Sequence, residues 1–264
     1  MSPERVFDKP HYVDLDQAKL ALFQEFLPVW RDQLALKTAW DIACGVGRYS
    51  ALLMELGILP RAIDGRLENV EESARRVPGL TVTVGDVEDP ALAQMERADL
   101  VLCLGLLYHL ENPFRAIYNV AQITGKIVII ESMCTWDELP VMYLREEGPT
   151  EDQGLRHIAF YPSESCLAKM LYRSGFSHVY RFIRLPDNVD FKSSADQTKR
   201  RTMLVATRAE FSSPYLEYVP QHRAYYDPWK TTWARSTEPF RRVGHFVTKP
   251  WPEKVATMRR IFGS

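Results

Sequence analysis

The chain has 264 residues, of which 46% are apolar and 25% charged, and its formal net charge is −1. Those values fit one large α/β domain, alone or with a sizeable appendage, and exclude a disordered chain. A net charge so near zero leaves no global field to recruit nucleic acid or an anionic membrane, so only a local basic patch would serve such a partner.

The opening MSPERVFDKPHY is charged and has no apolar core, so no signal peptide is expected. The longest apolar run, 100–108, is about half of the ~20 residues that span a bilayer, so no membrane partner is expected. Cys44, Cys103, Cys134 and Cys166 are far apart with no C-x-x-C pair, which suggests neither a metal site nor a disulfide framework. A reduced, cytoplasmic compartment is the simplest expectation.

The first predicted element is a helix capped by Asp14 or Asp16, with Leu15, Leu22, Phe23, Phe26, Leu27 and Trp30 on its apolar face. Pro28 is expected to kink it or restart it. A strand follows at 39–43, then a glycine turn and a helix with Tyr49, Leu52, Leu53 and Leu56 on one face, ended by Gly57. The strand at 59–63 stops at Asp64-Gly65. The next helix is expected to bury Leu67, Val70, Ala74 and Val77, with Glu71–Arg75 and Glu72–Arg76 paired outside. The strand at 80–84 closes on Gly85-Asp86, and 98–105 is apolar throughout, as in a strand covered on both faces. Asn112 caps and Pro113 opens a helix expected to bury Phe114, Ile117, Tyr118 and Ala121, and a strand at 126–131 follows.

This alternation predicts an α/β fold with a doubly wound, mostly parallel sheet. Beyond it, 132–161 reads as irregular, 163–174 as a helix, and 175–185 and 201–208 as an antiparallel strand pair. The implied organisation is an N-terminal helical cap (1–37), the sheet domain (38–207) and an aromatic- and proline-rich extension (208–264).

Ligands of such sheets sit at the carboxyl ends of the strands. The first strand and its turn give Asp41, Cys44, Gly45 and Gly47, and the second gives Asp64, where a carboxylate suits a ribose diol. Asp86 and Val87 follow the third, where a carboxylate suits an exocyclic amine; Gly105 to His109 follow the fourth and Glu131 the fifth. A dinucleotide fingerprint would need a third glycine, and Ser50 stands there.

D-x-A-C-G-x-G-R (41–48), AIDGR (62–66), GDVED (85–89) and LGLLYHLENP (104–113) together resemble the class I S-adenosylmethionine-dependent methyltransferases, over roughly 38–207. The resemblance implies a seven-stranded sheet ending in the antiparallel pair, and S-adenosylmethionine as cofactor. Gly45 and Gly47 would then pass under its methionine part, next to Cys44, with Asp41 near the amino end. Asp64 would hold the ribose hydroxyls, Asp86 the adenine amine with Val87 beside the ring, and Leu104 or Gly105 would offer a carbonyl to the ammonium. Ala43 departs from the family's first glycine.

For catalysis the resemblance points to His109 as candidate general base, Glu131 as a group orienting the acceptor, and Tyr108 as a wall of the methyl pocket. No metal is required, because the sulfonium is already a good leaving group. Arg48 reads as a structural partner of a nearby carboxylate. The stretch 132–161, with Trp136, Tyr143, Arg145, His157 and Tyr161, is expected to cover the acceptor, and Tyr12 to fold over the cofactor. The expected acceptor is an oxygen or nitrogen nucleophile of a small molecule. RNA is the alternative, suggested by six Lys/Arg against one acid in 241–264. A nicotinamide dehydrogenase and a non-catalytic protein of the same fold are the rivals from other classes, and a homo-oligomer is compatible with the sequence.

Overall fold

The computed structural model describes residues 6–146, 154–155, 158–192 and 200–221. The chain divides into two units, Met1–His222 and Arg223–Ser264, and all described residues lie in the first. The elements in order are α1 (Pro10–Leu34), β1 (Thr38–Ile42), α2 (Arg48–Glu55), β2 (Leu59–Asp64), α3 (Leu67–Arg76), β3 (Thr81–Val84), β4 (Ala98–Leu104), α4 (Pro113–Ile123) and β5 (Thr124–Cys134). They continue as β6 (Met142–Glu146), β7 (Ile158–Pro162), α5 (Glu164–Arg173), β8 (His178–Phe182), β9 (Arg200–Thr207) and β10 (Leu216–Tyr218).

The main sheet has the order β10-β8-β9-β5-β4-β1-β2-β3. β1 to β5 are mutually parallel, β9 runs antiparallel to β5 and β8, and β10 antiparallel to β8. The doubly wound, mostly parallel α/β fold read from the sequence is therefore the observed one, with β10 as an added edge strand. Because side chains alternate along a strand, β4 supplies both layers. Val101 and Cys103 pack with Ala116 and Ile117 of α4 and Leu167 and Leu171 of α5. Leu100, Leu102 and Leu104 pack on the other face with Phe23 and Phe26 of α1 and Leu53 of α2.

Several expectations need correction. α1 starts at Pro10, not after Asp14 or Asp16, because a proline at the first helical position loses no hydrogen bond. The helix also runs on through Pro28. Phe23, Phe26, Leu27 and Trp30 flank that proline and are fully buried; each contributes about 1.5–3 kcal/mol, which outweighs the ~3 kcal/mol penalty of an interior proline. In α3 the buried residues are Asn69, Glu72 and Ser73, while Leu67 is exposed; Asn69 turns inward to donate to Asp64 at 3.0 Å, and Val77 at the helix's end is buried as expected. In α4, Ile117 and Ala121 are buried as expected, but Phe114 and Tyr118 face solvent. The inner stripe there includes Asn119, whose amide donates to the carbonyls of Val87 and Asp89 at 2.9 and 3.0 Å. Residues 132–161 are not simply irregular: β5 extends to Cys134, and β6 pairs antiparallel with β7 as a separate two-stranded sheet.

Candidate active site

A cavity with an empty volume of about 1200 Å³, partly open to solvent, lies at the carboxyl ends of β1, β2, β3 and β4. Its wall includes Asp41 near the end of β1 with Cys44 and Gly45 after it, Asp64 at the end of β2, Asp86 and Val87 after β3, and Leu104 at the end of β4 with Gly105, Tyr108 and His109 after it.

The turn between β1 and α2 is wound tightly by positive φ at Gly45 and Gly47, and also at Ala43 (φ 59°). Gly47 does not reach the cavity wall. A β-carbon there would meet Val77 at 3.0 Å and Ser73 at 3.2 Å, so glycine lets α3 close against the turn. Asp64 fastens the turn from the next strand: Oδ2 accepts from the Gly45 N–H at 2.9 Å, and Oδ1 from Arg66 N–H and the Asn69 amide at 2.9 and 3.0 Å. Burial raises its carboxyl above the ordinary value despite these bonds. Asp41 is 2% exposed and accepts from the Ser50 hydroxyl at 2.7 Å. Burial pushes its carboxyl up to about 6. Asp86 accepts the Glu88 N–H at 2.8 Å and stays half-buried at the far end of the cavity.

Residues 40–129, spanning this whole run of strand tips, match the methyltransferase domain family Methyltransf_11. Over that stretch the chain is similar to methyltransferase domains. A tRNA U34 carboxymethyltransferase of Trichodesmium erythraeum (strain IMS101) is 29% identical over 136 residues, covering 50% of this chain and 38% of that protein. Among solved structures, the N-terminal domain of EvdMO1 with S-adenosylhomocysteine bound has a TM-score of 0.56 at 17% identity, over 74% of this chain and 80% of that one. Magnesium protoporphyrin IX methyltransferase (ChlM) from Synechocystis PCC 6803, also with S-adenosylhomocysteine, has a TM-score of 0.53 at 19% identity, over 78% and 92%.

At the β4 and β5 end of the cavity stands a buried charge network. Glu131 is fully buried and receives Arg201 Nη1 at 2.8 Å and Lys19 Nζ at 3.5 Å. Burial works to raise its carboxyl, but Arg201 and then Lys19 outweigh that and hold it below the usual range. Arg201 also donates to the Tyr108 hydroxyl at 3.2 Å and to Asp190 at 3.2 Å. Lys19 pairs with Asp16 at 3.1 Å, which accepts from the Tyr49 hydroxyl at 3.0 Å. Lys19 and Arg201 line the cavity, and Glu131 stands behind them. The sequence reading found Glu131 and Tyr108 but missed both cations. Lys19 had a signal, a charge on the apolar stripe of Leu15, Leu22 and Phe26; Arg201 had a fainter one, a charge opening a buried strand.

The remaining candidates are distributed as follows. His109 closes a short 3-10 turn, half-buried on the cavity wall, its ring 4.1 Å from that of Tyr108. Arg48 pairs with nearby carboxylates, bonding the Phe7 carbonyl, Asp8 and Asp16, and it also lines the cavity. Tyr12 lines the cavity, whereas Trp30 is core. From 132–161, Leu155 reaches the cavity and Tyr161 meets Tyr108 edge-on at 6.3 Å, but Trp136, Tyr143 and Arg145 are on the surface. His157 and 241–264 lie outside the described residues. Among the described residues no group of His, Cys, Asp and Glu could hold a metal ion, and no helix is long and apolar enough to cross a membrane.

Proposed function

We propose that this cavity binds S-adenosylmethionine along the strand tips and directs its methyl group to an oxygen or nitrogen nucleophile of a small molecule. The observation that carries the reading is the row Asp41, Asp64 and Asp86, one carboxylate from each of β1, β2 and β3 along a single cavity. Asp64 accepts from the ribose hydroxyls, Asp86 from the adenine amine beside Val87, and ionised Asp41 faces the amino end near Cys44 and Gly45. Leu104 and Gly105 supply the carbonyl edge, and Gly47 acts indirectly by letting α3 close on the turn.

When bound, the cofactor supplies an electrophilic methyl on a positively charged sulfur. The chain's own task is to align an acceptor with it and to exclude water, and alignment alone lowers such barriers by several kcal/mol. His109 takes the acceptor's proton, and Tyr108 walls the acceptor in. Glu131, with both oxygens engaged and its carboxyl held low, is a poor base; it fixes Lys19 and Arg201 instead. Phe7, Tyr12 and Leu155 add apolar wall to the cavity, which suits a small acceptor.

Methyl-labelled S-adenosylmethionine, tested against a panel of small oxygen and nitrogen nucleophiles, checks the proposal. Transfer to a member of the panel is expected, with His109→Ala and His109→Asn lowering kcat by about 10²–10⁴ and leaving S-adenosylhomocysteine affinity nearly unchanged. An asparagine variant with full kcat removes the general base from the reading.

The relative from Trichodesmium favours a second reading, in which a carboxymethyl group moves to a tRNA nucleoside. Lys19, Arg201 and the Tyr108 hydroxyl would then receive the added carboxylate through charge-assisted hydrogen bonds. Tighter binding of a donor carrying carboxymethyl in place of methyl, lost in Arg201→Met, together with transfer to tRNA, selects this reading over the first.

A further inference from the structure

The short N-terminal turn Val6–Asp8 lies across the glycine turn of the site. A β-carbon placed on Gly45 would come within 3.1 Å of Phe7 Cζ, so ring and turn are in contact. Val6, Phe7 and Asp8 are half-buried, and the Phe7 ring meets that of Tyr12 edge-on at 6.2 Å. Charge adds a second hold. Arg76, at the end of α3, grips Asp8 in a bidentate pair of 2.9 and 2.6 Å. Arg48 donates to the Phe7 carbonyl at 2.7 Å and stands 3.5 Å from the same carboxylate. Glu72 steadies Arg76 from one turn earlier at 2.6 Å. Arg76 and then Arg48 hold the Asp8 carboxyl below the usual carboxylate range. The Asp8 and Arg76 side chains remain 36% and 27% exposed, so dissolved salt screens their attraction.

We propose that Val6–Asp8 is a strap that lifts off Gly45 to admit and release the cofactor, and that the Asp8–Arg76–Arg48 group is the ionic latch setting the rate of release. The inference rests on the reading that this cavity holds S-adenosylmethionine. Asp8 and Arg76 lie outside the cavity wall, so changing them alters the latch without removing a wall residue.

Release of S-adenosylhomocysteine from the full chain, followed by stopped-flow displacement, tests this directly. In the wild type, release is expected to speed up as salt is added. Asp8→Asn is expected to release about three- to tenfold faster at low salt, with the salt dependence flattened. Arg76→Gln should behave alike, and the double variant should be no faster than either single one, because both changes open the same pair. Hydrogen exchange at the Lys9 and Tyr12 amides of the cofactor-free wild type should accelerate with salt; exchange indifferent to salt overturns the strap. An unchanged release rate in Asp8→Asn, or an undiminished salt dependence, also overturns it. If S-adenosylhomocysteine does not bind the wild type at all, the assignment of the cavity fails instead.

Discussion

Asp41 is a carboxylate that folding works against. Its value of about 6, against 3.8 for a free side chain, means the folded protein favours the protonated form. The associated stability is complete below pH ~4 and lost as pH rises through about 6, a swing of roughly 3 kcal/mol. A cationic ligand reverses this preference, because it needs the ionised form. Affinity for S-adenosylhomocysteine is therefore expected to be nearly flat above pH 7 and to weaken about tenfold per unit below pH 6. Calorimetric titrations at pH 5, 6 and 7.5 check it, and Asp41→Asn should abolish the trend. Two positions away, Ala43 sits in the left-handed region at φ 59° where glycine is at ease. Ala43→Gly is expected to raise stability by about 1 kcal/mol in thermal unfolding. At this scale the sequence was most readable where a residue's place on the cavity wall follows from its position at a strand's end, as for Asp64, Asp86 and Gly45. It was least readable for Lys19 and Arg201, because their shared partner Glu131 is 112 and 70 residues away.

Elements were legible wherever burial follows a simple period. β4 is a continuous apolar run, and its place in the sheet could be read at sight. α3 and α4 present inner stripes containing the polar residues Asn69 and Asn119, whose partners Asp64, Val87 and Asp89 belong to other segments, so a search for apolar spacing placed only part of each buried face. β6 was invisible for the opposite reason: all five of its residues are exposed, so it carries no alternation. The network of Lys19, Glu131 and Arg201 ties α1, β5 and β9 together, and it makes a prediction about elements. Arg201→Met leaves a fully buried carboxylate short of its main partner and should cost roughly 3–5 kcal/mol in urea unfolding. Adding Glu131→Gln to that variant should recover most of the loss, because the stranded charge is then gone.

At the scale of the whole molecule, the first unit does not end with β9. Phe211 is buried with its ring 5.3 Å from Trp30, the Trp30 indole donates to Ser213 at 2.9 Å, and Val219 N–H bonds the Val179 carbonyl at 2.8 Å. A chain cut after 207 is expected to lose roughly 3–5 kcal/mol from Phe211 alone, while one cut after 221 keeps these contacts. Urea midpoints of the two truncations decide between a boundary at 207 and one near 222. The order of the sheet has a consequence for synthesis on the ribosome. β9 lies between β5 and β8, both of which leave the exit tunnel before it. Until residues 200–207 emerge, the nascent chain carries two bare strand edges facing a one-strand gap, and any extended segment can pair with them. A translational pause just upstream of Arg200 would prolong that exposure, and nascent chains held there should recruit holdase chaperones more strongly than chains released eight codons later.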